Sequence, residues 1–395
     1  MTIGFASRAA VSTCVLCAAG LLVLAPAAAT AGPAAEPGPS PGSGPRAAAA
    51  APPSLLYRAG TQVRPRAKAP EVPELSAKSW LVADADSGDV LAAHNAHRRL
   101  PPASTLKTLF ALTVLPSLPA GIRHTVSEKE LRDVGPGSSL VGVAEDRTYR
   151  VADLWNGVFL NSGNDAVHVL SALHGGWRAT AERMQAKART LGARDTRVKS
   201  PDGYDAPGQV SSAFDLAVFG RAGLRSPEFA RYCGKVSARF PAREGGTYPI
   251  RNTNRLLTGA DDVEPYRGLI GIKNGYTSHA GHTLVAAARR DGRTLVVSVM
   301  NPREGGAHAV YEEARELLDW GFAAARRVEP VGSLDALRAR PLTGPEAEAG
   351  AATAVRDQDN GRSARVAWTI AGAALLGGAG VGVFLRLVWG PVPPR

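Results

Sequence analysis

Cysteine is scarce in this chain of 395 residues: only Cys14, Cys17 and Cys233 occur. The first two fall in an apolar N-terminal segment that reads as removable, which leaves one thiol. A single thiol excludes an internal disulfide and any cysteine-based zinc site. Of 46 basic residues only eight are lysine, and the arginine excess reads as coding bias. The formal charge is +11, yet no block of five or six like charges occurs and no aromatic–basic motif for RNA is present. The reading is a generally basic extracellular protein with no nucleic-acid partner. No G-x-S-x-G elbow within residues 72–325 supports a Ser-His-Asp hydrolase, and no phosphate-cradling glycine loop is present. His94/His97 and His279/His282 are spaced i, i+3, but no carboxylate-bearing metal motif accompanies them. Neither metal nor other cofactor is expected.

Two apolar segments are present. Residues 9–29, after Arg8, combine a charge, a short apolar stretch and small residues at Ala27 and Ala29. This pattern predicts a secretory signal peptide over residues 1–31. Residues 366–385 hold no charge, enough for one helical crossing of a bilayer core of about 30 Å. A transmembrane helix is expected there, with residues 386–395 as a cytoplasmic tail and the body exported. That gives a single-pass cell-membrane protein with its main domain outside.

Ala, Pro and Gly dominate residues 32–71, which read as a disordered linker. Residues 326–365 read as a second linker. The folded domain is therefore expected over 72–325. Its strand patterns are Ser79–Ala85, Val90–Ala93, Leu269–Tyr276, Thr283–Arg290 and Thr294–Met300, with a hairpin turn at Asp291-Gly292. Helical spacing marks Ala103–Leu115, Val151–Leu160, Asp165–Leu173, Trp177–Thr190, Ala213–Leu224 and Ala309–Ala325. Strands at both ends with helices between predict an α+β fold, an antiparallel sheet flanked by helices.

Three short motifs carry chemistry. Ser104-Thr-Leu-Lys107 opens a predicted helix, and positions i and i+3 share a face. The helix N-terminus favours developing negative charge on the serine oxygen. A lysine amine in a water-poor cleft can lose its proton and act as base. Ser162-Gly163-Asn164 falls in a loop between two predicted helices. Its hydroxyl can relay a proton and its amide can hold a carbonyl. Lys273-Asn274-Gly275 closes a predicted strand. A lysine there can hold an anionic carboxylate end, and the glycine leaves room for a peptide along the strand edge.

The order S-x-x-K, S-x-N, K-x-G is the signature of serine penicillin-recognising enzymes. With LVADADSGDVL (81–91), PASTLKTL (102–109), LNSGNDAV (160–167), SPDG (200–203) and GIKNGYTSHA (271–280), the chain resembles low-molecular-mass penicillin-binding proteins of the D-alanyl-D-alanine carboxypeptidase family. The resemblance implies a penicillin-binding/β-lactamase-like transpeptidase fold. It implies that Ser104 attacks the carbonyl between two terminal D-alanines of a peptidoglycan stem peptide, with Lys107 as general base. Ser162 would shuttle protons, Asn164 orient the substrate and Lys273 attract its carboxylate. The N–H groups of Ser104 and Tyr276 would form the oxyanion hole, and β-lactams would acylate Ser104.

Two positions depart from the family pattern. Asn274 stands where the family usually has threonine, and the stretch before the last helix, His308-Ala-Val-Tyr-Glu, lacks an arginine common in relatives. Two further readings compete: a β-lactamase on the same fold, with Glu182 the only acid available in the helix past the second motif, and a catalytically weak wall-binding or sensor protein.

Overall fold

The computed structural model describes residues 54–335. The signal-peptide, membrane-span and tail expectations lie outside these residues.

The first described strand, β1 (Thr61–Pro65), is followed by the hairpin β2 (Ser79–Asp84) and β3 (Asp89–His94). A helical stretch then intervenes: α1 (Lys107–Val114), the short β4 (Arg123–Thr125), α2 (Glu128–Leu131), β5 (Thr148–Arg150), α3 (Val151–Leu160), α4 (Asn164–Leu173) and α5 (Trp177–Thr190). It continues with α6 (Ala213–Leu224), α7 (Pro227–Cys233), the hairpin β6 (Ser237–Pro241) and β7 (Thr247–Arg251), and α8 (Arg255–Thr258). The chain returns through β8 (Leu269–Thr277), β9 (Gly281–Arg290) and β10 (Arg293–Met300), then α9 (Ala309–Ala324), β11 (Val328–Glu329) and β12 (Gly332–Ser333).

The main sheet has the order β11-β1-β3-β2-β10-β9-β8, with β12 also paired to β3, and every pairing is antiparallel. Early and late strands meet where β2 pairs β10, with Val82 opposite Val297. Both sheet faces are covered, so β9 and β10 are near-continuous apolar runs rather than alternating ones. The alternation reappears in what each residue touches. Leu295, Val297 and Val299 pack with α9 residues Val310, Leu317 and Leu318, while Val296 and Met300 join the core that contains Phe214 and Phe219 of α6. This is the period of two expected of a strand with two buried faces.

The α+β expectation holds, but the domain limits are corrected at both ends. The strand Thr61–Pro65 lies inside the segment read as a 32–71 linker, and Val328–Glu329 and Gly332–Ser333 lie inside the one read as 326–365. These segments are poor in apolar residues and become strands because partners lie beside them. Val63 pairs Ala92, Arg64 pairs Glu329, and Gly332 pairs Val90. Backbone pairing of this kind leaves no periodicity in the sequence.

Candidate active site

The nucleophile turn is a 3-10 turn, Ala103–Leu106, leading into α1. Thr105 Oγ1 and Thr283 Oγ1 both donate to the Pro102 carbonyl, at 2.5 and 3.0 Å, pinning the turn against β9. Ala103 is held at φ +48°, a left-handed conformation that costs a non-glycine residue about 1 kcal/mol or more. What holds it is the loop Ser200-Pro-Asp-Gly203. A Cβ on Gly203 would lie 2.1 Å from the Ala103 carbonyl oxygen, and Gly203 itself has φ +83°. Only glycine fits there.

Lys107 lies one turn beyond Ser104 and is buried. Its Nζ stands 2.8 Å from Ser104 Oγ, 2.6 Å from Asn164 Oδ1 and 2.8 Å from the Asp202 carbonyl. A neutral amine has two N–H donors and one lone pair. The two oxygen acceptors match the donors, and the lone pair is left for the Ser104 hydroxyl. Burial pushes the amine down to about 8, against the opposing pull of Asp202 and Asp165. Part of the population is therefore the free base near neutral pH.

Ser162 sits between α3 and α4 at φ +57°, with its Oγ buried and without a hydrogen-bond partner among the described residues. It lines the same cavity as Ser104, Asn164, Asn274, Gly275 and Tyr276, a cleft of about 350 Å³. β8 is the edge strand that forms one wall of this cleft. Gly275 passes so close to the nucleophile turn that a Cβ there would lie 2.7 Å from the Ser104 nitrogen. Tyr276 is exposed at the rim, its ring 4.6 Å from that of His282.

Lys273 is buried beneath the wall and donates to the Asn274 carbonyl at 2.8 Å. Burial and then the neighbouring Lys107 push its pKa well below the ordinary lysine value. An arriving carboxylate would reverse that shift. Asn274 is not a free replacement for threonine. Its Oδ1 accepts from Thr253 Oγ1 at 3.0 Å and lies 3.5 Å from Lys273 Nζ, while the Tyr311 hydroxyl donates to the Thr253 carbonyl at 3.2 Å. Tyr311 belongs to the stretch that lacks the relatives' arginine, and the Arg255 guanidinium lies 5.4 Å from its ring centroid.

All eight residues singled out by sequence thus converge: six line the cleft and two lysines lie beneath it. Three contributors were missed as site residues. Thr253, which holds Asn274, and Tyr311, which bonds the Thr253 carbonyl, carry no local motif. Asp165 was passed over beside Asn164. It is buried and accepts from the backbone N–H groups of Val141, Gly142 and Val143, the shortest at 2.7 Å. That clamp fixes the segment whose Gly137–Ser139 stretch lines the cleft. Glu182 pairs with Arg178 on the exposed face of α5 and does not line the cleft. The candidate histidines are engaged elsewhere: His97 bonds Asp195 at 2.7 Å and His94 bonds Thr61 at 2.9 Å.

A serine beside a buried, partly deprotonated lysine, with a second hydroxyl opposite and a lysine under an open strand edge, defines a serine acyl-transfer enzyme of the penicillin-recognising class. Comparison with known proteins narrows the class. Residues 66–304 match the family model described as D-alanyl-D-alanine carboxypeptidase. The chain is 40% identical over 280 residues to the D-alanyl-D-alanine carboxypeptidase DacB2 of Mycobacterium tuberculosis, covering 70% of this chain and 92% of that one. It is 35% identical to DacD of Escherichia coli, covering 64% of each. Among solved structures, a D-alanyl-D-alanine carboxypeptidase from Mycobacterium tuberculosis superposes with a TM-score of 0.62 at 38% identity, covering 69% of this chain and 100% of that one. The Streptomyces K15 DD-transpeptidase shares the fold, with a TM-score of 0.59 at 24% identity, covering 64% and 100%. The chain belongs to the D-alanyl-D-alanine carboxypeptidase family of serine peptidases. The family acts on peptidoglycan peptides ending in D-Ala-D-Ala and binds β-lactams.

Proposed function

We propose that this carboxypeptidase works through an acyl-enzyme on Ser104. Neutral Lys107 takes the Oγ proton as Oγ bonds to the carbonyl carbon between the two D-alanines. The N–H groups of Ser104 and Tyr276 receive the oxyanion. Ser162 donates its proton to the departing nitrogen and takes up the one held by Lys107, so that the C–N bond breaks, D-alanine leaves and Lys107 is neutral again. Water, deprotonated in turn by Lys107, then hydrolyses the ester and frees the shortened peptide. Lys273 draws the substrate carboxylate, while Asn164 both seats Lys107 and offers its amide to the substrate. A β-lactam follows the first half of this path and remains on Ser104.

The observation that carries the reading is the 2.8 Å separation of Lys107 Nζ from Ser104 Oγ, with the amine lowered to about 8. The test is release of D-alanine from a pentapeptide ending in D-Ala-D-Ala, which Ser104→Ala should abolish. Release undiminished in that variant would remove Ser104 from the mechanism.

The location follows from the sequence alone. A signal peptide over residues 1–31 exports the body, the span at 366–385 holds it in the cell membrane, and the catalytic domain faces outward. Among the described residues no helix is long and apolar enough to cross a membrane.

A further inference from the structure

A second cavity, of about 690 Å³, opens between α2 and α4. The Gly175-Gly176 turn ends α4 and sets Trp177 at the first position of α5, facing back over it. The Trp177 ring lies against His168, with centroids 4.0 Å apart and planes inclined by 31°. Asp133 and Lys129 stand on the facing wall. None of these four side chains makes a hydrogen bond or ion pair to another described residue. Glu130, also on that wall, is already taken by His124 at 2.8 Å and by Ser127. Burial pushes the His168 pKa below its ordinary value, which leaves a neutral imidazole with one donor and one acceptor.

We infer that this cavity is a saccharide subsite, seating a sugar ring of the glycan from which the stem peptide hangs. The inference rests on the carboxypeptidase reading of the neighbouring cleft. A pyranose has an apolar C–H face that packs on an aromatic ring, and a rim of hydroxyls that both donate and accept. The cavity offers a matching set: the Trp177–His168 ring pair as its aromatic surface, the Lys129 ammonium as donor, the Asp133 carboxylate as acceptor, and the His168 ring nitrogens in either role. An apolar ligand would leave these polar groups unpaired. An anionic one would meet Asp133 and Glu130.

The position suits the substrate. Cleft and cavity share α4: Asn164 faces the cleft, and His168 is one turn further along, a rise of about 6 Å. The far end of α4 is about 14 Å from Asn164 by the same measure. Four extended residues span at most about 13–14 Å. A sugar at the base of a peptide whose fourth residue is bonded to Ser104 therefore falls within the cavity's reach. The segment between Asp133 and Gly137 is the partition, with the cavity on one side and the cleft on the other.

The test uses the full chain in detergent and the β-1,4-linked tetramer of N-acetylglucosamine. Binding is followed by saturation-transfer NMR on the wild type, Trp177→Ala and Asp133→Ala. Labelled penicillin reports separately on the Ser104 cleft. Binding at millimolar concentration should weaken by at least about tenfold in Trp177→Ala, equivalent to ~1.4 kcal/mol. Asp133, exposed and unpaired, can be changed without disturbing the fold, and Asp133→Ala should weaken binding severalfold. Penicillin acylation should stay within about twofold of wild type in Asp133→Ala, since that side chain lies outside the cleft. The wild type should also favour a disaccharide-linked pentapeptide over the free pentapeptide in kcat/KM, and Asp133→Ala should lose that preference. No tetramer binding by the wild type, or equal binding by wild type and Asp133→Ala, would overturn the subsite. Failure of D-alanine release with tetramer binding intact would instead count against the reading of the cleft.

Discussion

Lys107 Nζ and Asn164 Oδ1 stand 2.6 Å apart, so the second motif's asparagine holds the first motif's base in place. With the Asp202 carbonyl it takes both N–H groups of the neutral amine and turns the lone pair to Ser104.

That arrangement fixes the sign of the pH dependence. The proposed mechanism needs Lys107 as the free base, and burial lowers its pKa to about 8. Acylation by a labelled penicillin should therefore rise with pH, by nearly tenfold per unit well below 8, and level off above it. The initial acylation rate from pH 5.5 to about 9.5 measures this. A flat profile would mean that another group accepts the proton.

Asn274 Oδ1 is engaged by Thr253 and lies near Lys273, so the amide is turned by these contacts and only its Nδ2 donors are left for a substrate carboxylate. Asn274→Thr should release the Thr253 hydroxyl and place a second one beside it. The expected result is a gain in kcat/KM on D-Ala-D-Ala ends of a few-fold to about tenfold, at most ~1.4 kcal/mol. Comparison with D-Ala-D-lactate ends shows whether the gain concerns the terminal group. A loss on D-Ala-D-Ala would show that the bound asparagine is itself the recognition element.

Asp165 should matter to stability and activity together. Asp165→Ala removes charge-assisted bonds to three backbone N–H groups in a buried setting, a loss of about 3 kcal/mol or more. Thermal unfolding followed by circular dichroism should show a midpoint lower by roughly 5–10 °C. Penicillin acylation should slow as the Gly137–Ser139 wall loosens. An unchanged midpoint would mean that the wall is held by other bonds, such as Asn164 N–H to the Ser139 carbonyl.

Deleting residues 364–395 should release the protein from membranes into the medium, because the apolar run at 366–385 is removed with them. Fractionation with an antibody to the domain measures this. Continued sedimentation with membranes would place the anchor elsewhere, with the N-terminal segment as first candidate.

Much of the site was legible because its chemistry is local. Ser104 and Lys107 share a helix face through three residues of spacing, and Asp291-Gly292 marks the β9–β10 hairpin that carries the core strands. What was not legible depends on contacts across the chain. Thr253 becomes a site residue only because β8 passes beside it 21 positions later. Asp165 looks like any helix-start acid until the backbone of Val141–Val143 folds onto it. β1 and β11 are polar segments that pair with each other, and pairing of backbone to backbone has no side-chain signature.

The same edge pairing gathers both ends of the described chain at one margin of the sheet. Ser54 and Asp335, where the described chain begins and ends, belong to the β1–β11–β12 margin of the sheet: Leu56 packs against Gly332, and Leu334 N–H bonds the Gly88 carbonyl. The catalytic strand β8 forms the opposite margin. Six inter-strand spacings separate β11 from β8, about 29 Å at the usual distance between paired strands. Chain continuing from either end of the described domain therefore leaves it on the side away from β8 and need not cross the mouth of the cleft.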